Sequence, residues 1–317
     1  VTWYLVRRSG QAVAVVIGVM ILTFIMIHME PGSVARSILG FRATPGRIAL
    51  FNSTYGLNEP LYKQFVTYLS EVAHGNLGTS YYLQQPVMTL VAQRLPKDIV
   101  LLGLATVLAL IIALPLGIYQ AVRRNRLGDN MLSGVTFTLY SMPDFFFAIA
   151  LIAVFAVQLH VLPPEAPQAA TVGGMLADPR ALVLPVLTMA LISVAGYSRY
   201  MRSSAIDTLA QDYLRVVRAK GVPERLVLFR HVLRNSLLPV VTIVGLSLPG
   251  IVAGAVIAEE VFNFPGMGLL IFQAATTHDF PVLLGSTLII GVATVAGNLA
   301  ADIAYGILDP RIRHAGR

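Results

Sequence analysis

Uncharged stretches of 18 to 24 residues recur along this 317-residue chain, and the five that read as membrane spans restrict the fold more sharply than anything else in the sequence. They lie between Arg8 and Glu30 (21 residues), Asp98 and Arg123 (24), Arg180 and Arg199 (18), Arg234 and Glu259 (24), and Asp279 and Asp302 (22). A bilayer's hydrocarbon core of ~30 Å takes ~20 helical residues to cross. Lipid offers no partner to a bare backbone amide, so such runs must be helical. A sixth run, Met131 to about Leu159, is broken only by Asp144 beside Pro143. The expectation is an all-α membrane protein, one transmembrane domain over 1–317. Its six spans fall near 9–29, 99–122, 131–159, 181–198, 235–258 and 280–308. The composition agrees: 12% charged residues and a mean hydropathy of +0.72, where a soluble domain carries ~25% charge. The first run exceeds the ~7–15 residues of a signal-peptide core and lacks a small-residue cleavage site, so it reads as a retained helix.

Cationic residues fix the expected orientation, because they concentrate in short cytoplasmic loops. With the N-terminus inside, the inner segments hold 16 of the 23 Lys and Arg residues and the outer segments 7. Both termini are therefore expected in the cytoplasm. The net charge of +7 is accounted for by retention at the bilayer surface, and nucleic acid is not an expected partner. There are no cysteines, which excludes disulfides and thiolate metal sites.

Two hydrophilic segments are too large to be connections. The external one, 30–98, holds an amphipathic helix. Asn58 and Pro60 signal its start, and Leu61, Phe65, Tyr68, Leu69 and Val72 recur at helical spacing. Gly75-Asn76-Leu77-Gly78 ends it. Such a stripe serves as an internal packing face or as a platform for a soluble partner.

The cytoplasmic segment, 199–235, carries eight cationic side chains. Tyr213, Val216, Val217 and Lys220 share one helical face. Gly221 follows, where a helix end favours a positive φ, and Pro223-Glu224 suit the first turn of a new helix. Leu226, Phe229 and Leu233 then line one side. The product is a helix–Gly–helix elbow with apolar and basic faces outside the lipid. A push on such an elbow would move both flanking spans.

Ala219-Lys220-Gly221, reached through Asp212-Tyr213 and followed by Arg230-His231-Val232-Leu233-Arg234-Asn235-Ser236-Leu237-Leu238-Pro239, resembles the signature loop of ABC-importer permeases. More narrowly, it is similar to the first ("B") permease of the dipeptide/oligopeptide/nickel group. Further matches are Gly56-Leu57-Asn58-Glu59-Pro60-Leu61, Gly75-Asn76-Leu77-Gly78-Thr79-Ser80, Arg94-Leu95-Pro96, Asn263-Phe264-Pro265-Gly266-Met267-Gly268 and Leu308-Asp309-Pro310-Arg311-Ile312-Arg313. Arg215-Val216-Val217 stands where the general signature has Glu-Ala-Ala, and Leu233-Arg234 where it has Leu-Pro. Both departures are usual in the peptide subgroup.

The resemblance implies a type I importer permease fold in a bacterial or archaeal plasma membrane. It implies a second homologous permease, two ATP-binding subunits, alike or different, and an extracytoplasmic substrate-binding protein. ATP and Mg would be bound by the ATPases, with no cofactor in this chain. Arg218, Ala219, Lys220, Gly221, Val222, Pro223 and Glu224 would meet the ATPases. Gly56, Leu57, Asn76, Leu77, Gly78 and Ser80 would meet the binding protein. Peptides are the implied cargo, with nickel chelates, haem or another small solute as alternatives.

The missing motifs point the same way. A phosphate-binding loop needs Gly before its Lys, but Lys63, Lys97 and Lys220 each follow another residue. Ion-driven carriers use intramembrane acids, and only Asp144 and Asp302 lie within spans. Each reads as structural or as part of a pathway. No histidine pairs at metal-ligand spacing, and no nucleophile has a base partner, so no enzymatic activity is expected. An ion-coupled secondary transporter is the alternative from a different class.

Overall fold

The computed structural model describes the backbone of residues 2–29, 33–40 and 42–308, with side chains over 10–11, 13–29, 33–40, 42–247 and 250–297. The described chain is helical without a β-strand, apart from one isolated bridge between Thr79 and Pro86. Its helices are α1 (Thr2–Met29), α2 (Val34–Leu39), α3 (Pro45–Thr54), α4 (Leu61–Ala73), α5 (Val87–Val122), α6 (Leu127–Ser141) and α7 (Asp144–Leu151). Then follow α8 (Val172–Leu176), α9 (Pro179–Leu209), α10 (Asp212–Ala219), α11 (Glu224–Leu226), α12 (Arg234–Ala253), α13 (Val256–Val261), α14 (Met267–Thr277) and α15 (Phe280–Leu308). Two π-helical segments, Ile152–Gln158 after α7 and Val227–Leu233 between α11 and α12, keep their helices continuous.

Four of these helical stretches are long and apolar enough to cross a membrane: α5, α9, the run Glu224–Ala253, and Phe280–Gly297 of α15. The pair α6 and α7 makes a fifth if it counts as one crossing, although it bends by 104°. Proline explains the bend. Met142, ahead of Pro143, takes the extended conformation at ψ 134°, because the proline ring crowds an α-helical predecessor. In α1, of which the side chains of 10–11 and 13–29 are described, Val13–Met29 is an apolar helical stretch. At 1.5 Å per residue, the 36 residues of α5 reach ~54 Å, well beyond a bilayer's hydrocarbon.

The chain forms two compact units: Val1–Lys97 with Val252–Val256 and Pro265–Ala296, and Asp98–Ile251 with Ile257–Phe264 and Gly297–Arg317. The first is organised by the start of α15. Val282 packs with Leu77, Val87, Leu90, Met267 and Leu270. Phe280 and Leu284 pack with Phe24, Ile27, Phe51 and Tyr81. On α4, Phe65, Tyr68 and Val72 of the expected stripe are partly buried against these clusters, while Leu61 stays 52% exposed.

The second unit is built on a ridge of small residues every four positions along α5: Ala105, Ala109, Ala113, Gly117 and Ala121. Ala105, Ala109 and Ala113 meet Ala190, Val194 and Tyr197 of α9. Small side chains let membrane helices approach closely, where van der Waals packing replaces the hydrophobic drive that lipid removes. At Gly117 the approach is closest. A Cβ there would lie 2.6 Å from Met201 Cβ and 2.8 Å from the Ser198 carbonyl oxygen, so only glycine fits.

Candidate functional site

The elbow begins where α9 ends at Leu209 and Gln211 leads into α10. Gly221 closes α10 with φ +78°, the left-handed conformation a side chain resists. Its N–H donates to the Arg218 carbonyl at 2.9 Å, and the Lys220 N–H donates to the Val216 carbonyl at 3.1 Å. Pro223 is extended, and α11 starts at Glu224. The turn is held across its mouth: Arg218 Nε and Nη2 donate to the two Glu224 oxygens at 3.0 and 2.7 Å. These bonds hold the Glu224 carboxyl below the ordinary carboxylate range. The two side chains are 38% and 53% exposed, so the pair contributes no more than about 1 kcal/mol.

Apolar contact anchors the elbow. Leu214 of α10 and Val227 and Val232 of the π-helical arm are buried together with Ala205 of α9 and Ala121 of α5; Val217, Val222 and Leu228 pack around them. Burying a leucine side chain contributes roughly 1.5–3 kcal/mol, more than the ion pair. Two hydrogen bonds add to the anchorage, Asn235 Nδ2 to the Tyr213 hydroxyl at 2.6 Å and Ser236 Oγ to Thr208 Oγ1 at 3.0 Å. The side of α10 held against the fold is thus Leu214 and Val217, with the Tyr213 hydroxyl bound to Asn235, while Val216 and Lys220 stay exposed. Val216 (55% exposed), Leu226 and Phe229 (62%) remain uncovered, beside the exposed Arg215, Lys220, Arg225 and Arg230.

A buried carboxylate that no local sequence pattern marks lies on the approach to the elbow. Asp129, at the start of α6, accepts Arg202 Nε at 2.9 Å and Nη2 at 2.7 Å. It also takes the Asn125 N–H at 2.9 Å and the Ser133 hydroxyl at 3.3 Å. A two-pronged guanidinium–carboxylate bond fixes distance and rotation together, so it locks the start of α6 to the final turns of α9, which lead into the elbow. Asp144 is exposed in the first turn of α7, where the helix dipole favours an acid. The Asp302 side chain lies outside the described residues, as do 309–313 of the terminal motif.

In the first unit, a cavity of about 650 Å³ opens between α1, α4, the loops 54–59 and 76–81, and the start of α15. Gly56 and Asn76 line it. Asn76 Nδ2 donates to Glu71 Oε2 at 2.7 Å, and its Oδ1 accepts the Gly78 N–H at 2.9 Å. Leu57 is half-buried, and Leu77 and Ser80 are buried. The Ser80 hydroxyl and the N–H groups of Tyr81 and Tyr82 all donate to the buried Asp279 carboxylate. Leu77 and Ser80 are therefore committed to the fold, and the reachable rim is Gly56, Gly78 and Asn76. Burial, with the Asp279 charge second, raises the Tyr81 phenol above its ordinary value.

Comparison with known proteins covers nearly the whole sequence. Residues 113–314 match the family described as binding-protein-dependent transport system inner membrane component. Residues 1–102 match the N-terminal membrane component of the same systems. The oligopeptide transport system permease protein AppB of Bacillus subtilis is 37% identical over 98% of this chain and 99% of its own length. The dipeptide transport system permease DppB of Alkalihalophilus pseudofirmus is 34% identical, over 98% and 99%. DppB of Escherichia coli K12 is 32% identical, over 98% of each.

Proposed function

Because this chain belongs to the binding-protein-dependent transport system inner membrane components, we propose that it is one of two homologous permeases of a peptide importer, driven through its elbow at Gly221. A member of this family is a helical permease of the inner membrane, and ATP hydrolysis lies in separate subunits. Di- and oligopeptides are the cargo, a reading supported by the relatives, whose names state peptide transport. The chain crosses the bilayer six times with both termini in the cytoplasm, as the distribution of Lys and Arg indicates. It provides half of the pathway.

The observation that carries this reading is the two-sided elbow. Its inner face is clamped by Leu214, Val227 and Val232, while Val216 and Leu226 stay exposed beside Arg215, Lys220 and Arg225. Each of two ATPases, with bound ATP and Mg, receives one such face in a surface cleft and contacts Arg218 to Glu224. Closure of the ATPase pair moves the elbow as a rigid body and shifts α9 and α12 with it. An extracytoplasmic binding protein delivers the peptide and touches the rim formed by Gly56, Gly78 and Asn76.

The test is Gly221→Pro. Proline fixes φ near −65° and is incompatible with +78°. Insertion should persist, while co-purification of the ATPases or ATP-driven uptake in proteoliposomes is lost. Normal ATP-driven uptake by this variant overturns the lever. Uptake by the chain alone, abolished by an uncoupler, establishes the ion-coupled alternative instead.

A further inference from the structure

A second surface of the same unit is built for lipid. Between α5 and the π-helical arm after Gly221 runs an apolar groove of about 690 Å³. Val107, Ile111, Ile118 and Phe229 line it, and Tyr119 and Arg123 close one end. Val107 to Arg123 covers ~24 Å of helix, longer than the ~15 Å hydrocarbon of one leaflet. The lining is open to its surroundings: Val107 is 56% exposed, Ile111 65% and Phe229 62%.

The charged end identifies the occupant. Arg123 is the first charge after the 24-residue apolar run, which places it at headgroup depth, with Tyr119 one turn inside, where aromatic rings gather. Arg124 and Arg126 follow Arg123 in the chain, and Arg230 follows Phe229 of the groove lining. Among the described residues none of these four cations is paired with a carboxylate. A helix of a second permease would fill the apolar part as well, but it brings no anion to four unneutralised guanidiniums. Basic pockets between transmembrane helices hold anionic headgroups. We propose that this groove binds one anionic phospholipid, its acyl chain along Val107 to Ile118 and its phosphate on Arg123. Phe229 belongs to the elbow's arm, so the bound lipid braces the lever against α5. The assignment rests on the membrane placement proposed above, but not on the cargo or on the ATPases.

Native mass spectrometry of the full-length chain in mild detergent reads it directly, with phosphatidylglycerol offered against phosphatidylcholine. One phosphatidylglycerol should be retained in preference. One juxtamembrane cation contributes about fivefold to anionic-lipid affinity, so Arg123→Gln should lower the preference by about that factor. Ile111→Trp, which fills the groove, should abolish retention; Ile99→Trp, on an exposed part of α5 outside the groove, should not. Equal retention of both lipids overturns the proposal, as does equal loss from the two tryptophan variants. A photo-crosslinker at Ile111 in native membranes covers the case of a variant that misfolds. A lipid adduct supports the site, and an adduct to another permease chain refutes it. If no ATPase ever co-purifies, the transport reading fails while these lipid measurements keep their meaning.

Discussion

Removing the Leu214 side chain should separate the elbow's anchorage from its docking face. Leu214 is fully buried, and its neighbours offer little repair: Ala121 and Ala205 are too small to fill the gap. Val227 and Val232 are β-branched and stiff. Leu214→Ala therefore leaves a cavity that collapses poorly, at a cost of about 3 kcal/mol, roughly a 150-fold rise in local opening. Hydrogen exchange in detergent or nanodiscs measures this, since amides of α10 exchange through such openings. Protection over residues 213–220 should fall by about two orders of magnitude, with α5 and α9 far less affected. In proteoliposomes carrying the whole assembly, uptake per ATP hydrolysed should drop while the ATPases remain bound, because a loosened lever absorbs the push. Val216→Ser is the control: Val216 is 55% exposed, so its loss alters stability by no more than ~0.5 kcal/mol. It should weaken ATPase retention and leave exchange unchanged. Exchange over 213–220 within threefold of the parent in Leu214→Ala refutes the apolar anchorage. ATPase loss in Leu214→Ala as large as in Val216→Ser refutes the division of faces.

The ion pair across Gly221 should matter much less. Glu224 has a lowered folded-state pKa, so its contribution is present above the unfolded value of ~4.3 and is lost as pH falls through the lower folded value. Glu224→Gln should raise exchange of α10 only a few-fold at pH 7, and elbow stability should not change between pH 8 and 5.5, as exchange corrected for intrinsic rate will show. Asp279→Asn sets an amide against three donors from Ser80, Tyr81 and Tyr82 and should cost about 2–3 kcal/mol. Proteolytic nicking within 80–85 of the inserted protein is its readout, and unchanged resistance counts against the cradle. Gly117→Ala forces a Cβ to within 2.8 Å of the Ser198 carbonyl oxygen, parts α5 from α9 and should lower thermal stability by about 1–3 kcal/mol. Gly103→Ala, where nothing lies within 4 Å, should not.

The parts of this fold that are local in sequence can be read from sequence. Apolar runs mark α5, α9, α12 and α15, because a helix in lipid must be apolar over its whole length. Gly221 marks its own turn, because the left-handed backbone there selects glycine. The small-residue ridge of α5 was equally legible as a period of four in residues 105–121, a signal the charge count passes over. The side of α10 that faces the protein was not. Tyr213, Leu214, Val216 and Val217 leave apolar groups around much of a short helix, and periodicity does not say which face meets its own fold and which a partner. The Asp129–Arg202 bond and the Asp279 cradle join residues 73 and 199 positions apart, beyond any local pattern. That distance is why Leu77 and Ser80, polar-loop residues by position, turn out to be interior ones. The π-helical widening at 227–233 shifts hydrogen bonds by one residue without altering the apolar pattern that a sequence displays.

The lever proposed for the elbow has to be stiff where it is fixed and accessible where it is pushed, and the energies around Gly221 divide in that way. The fixed side holds one fully buried leucine and two buried valines on small-residue neighbours, an apolar anchorage that salt does not screen. Charge is confined to the accessible side, where Arg215, Lys220 and Arg225 meet solvent and are screened within ~8 Å at physiological ionic strength. On the proposed reading, salt would therefore weaken engagement of an ATPase without softening the elbow that would transmit its stroke. The buried Asp129–Arg202 bond extends the stiff part to α6, so a displacement delivered at α10 reaches α9 and α6 together rather than dissipating at the first bend.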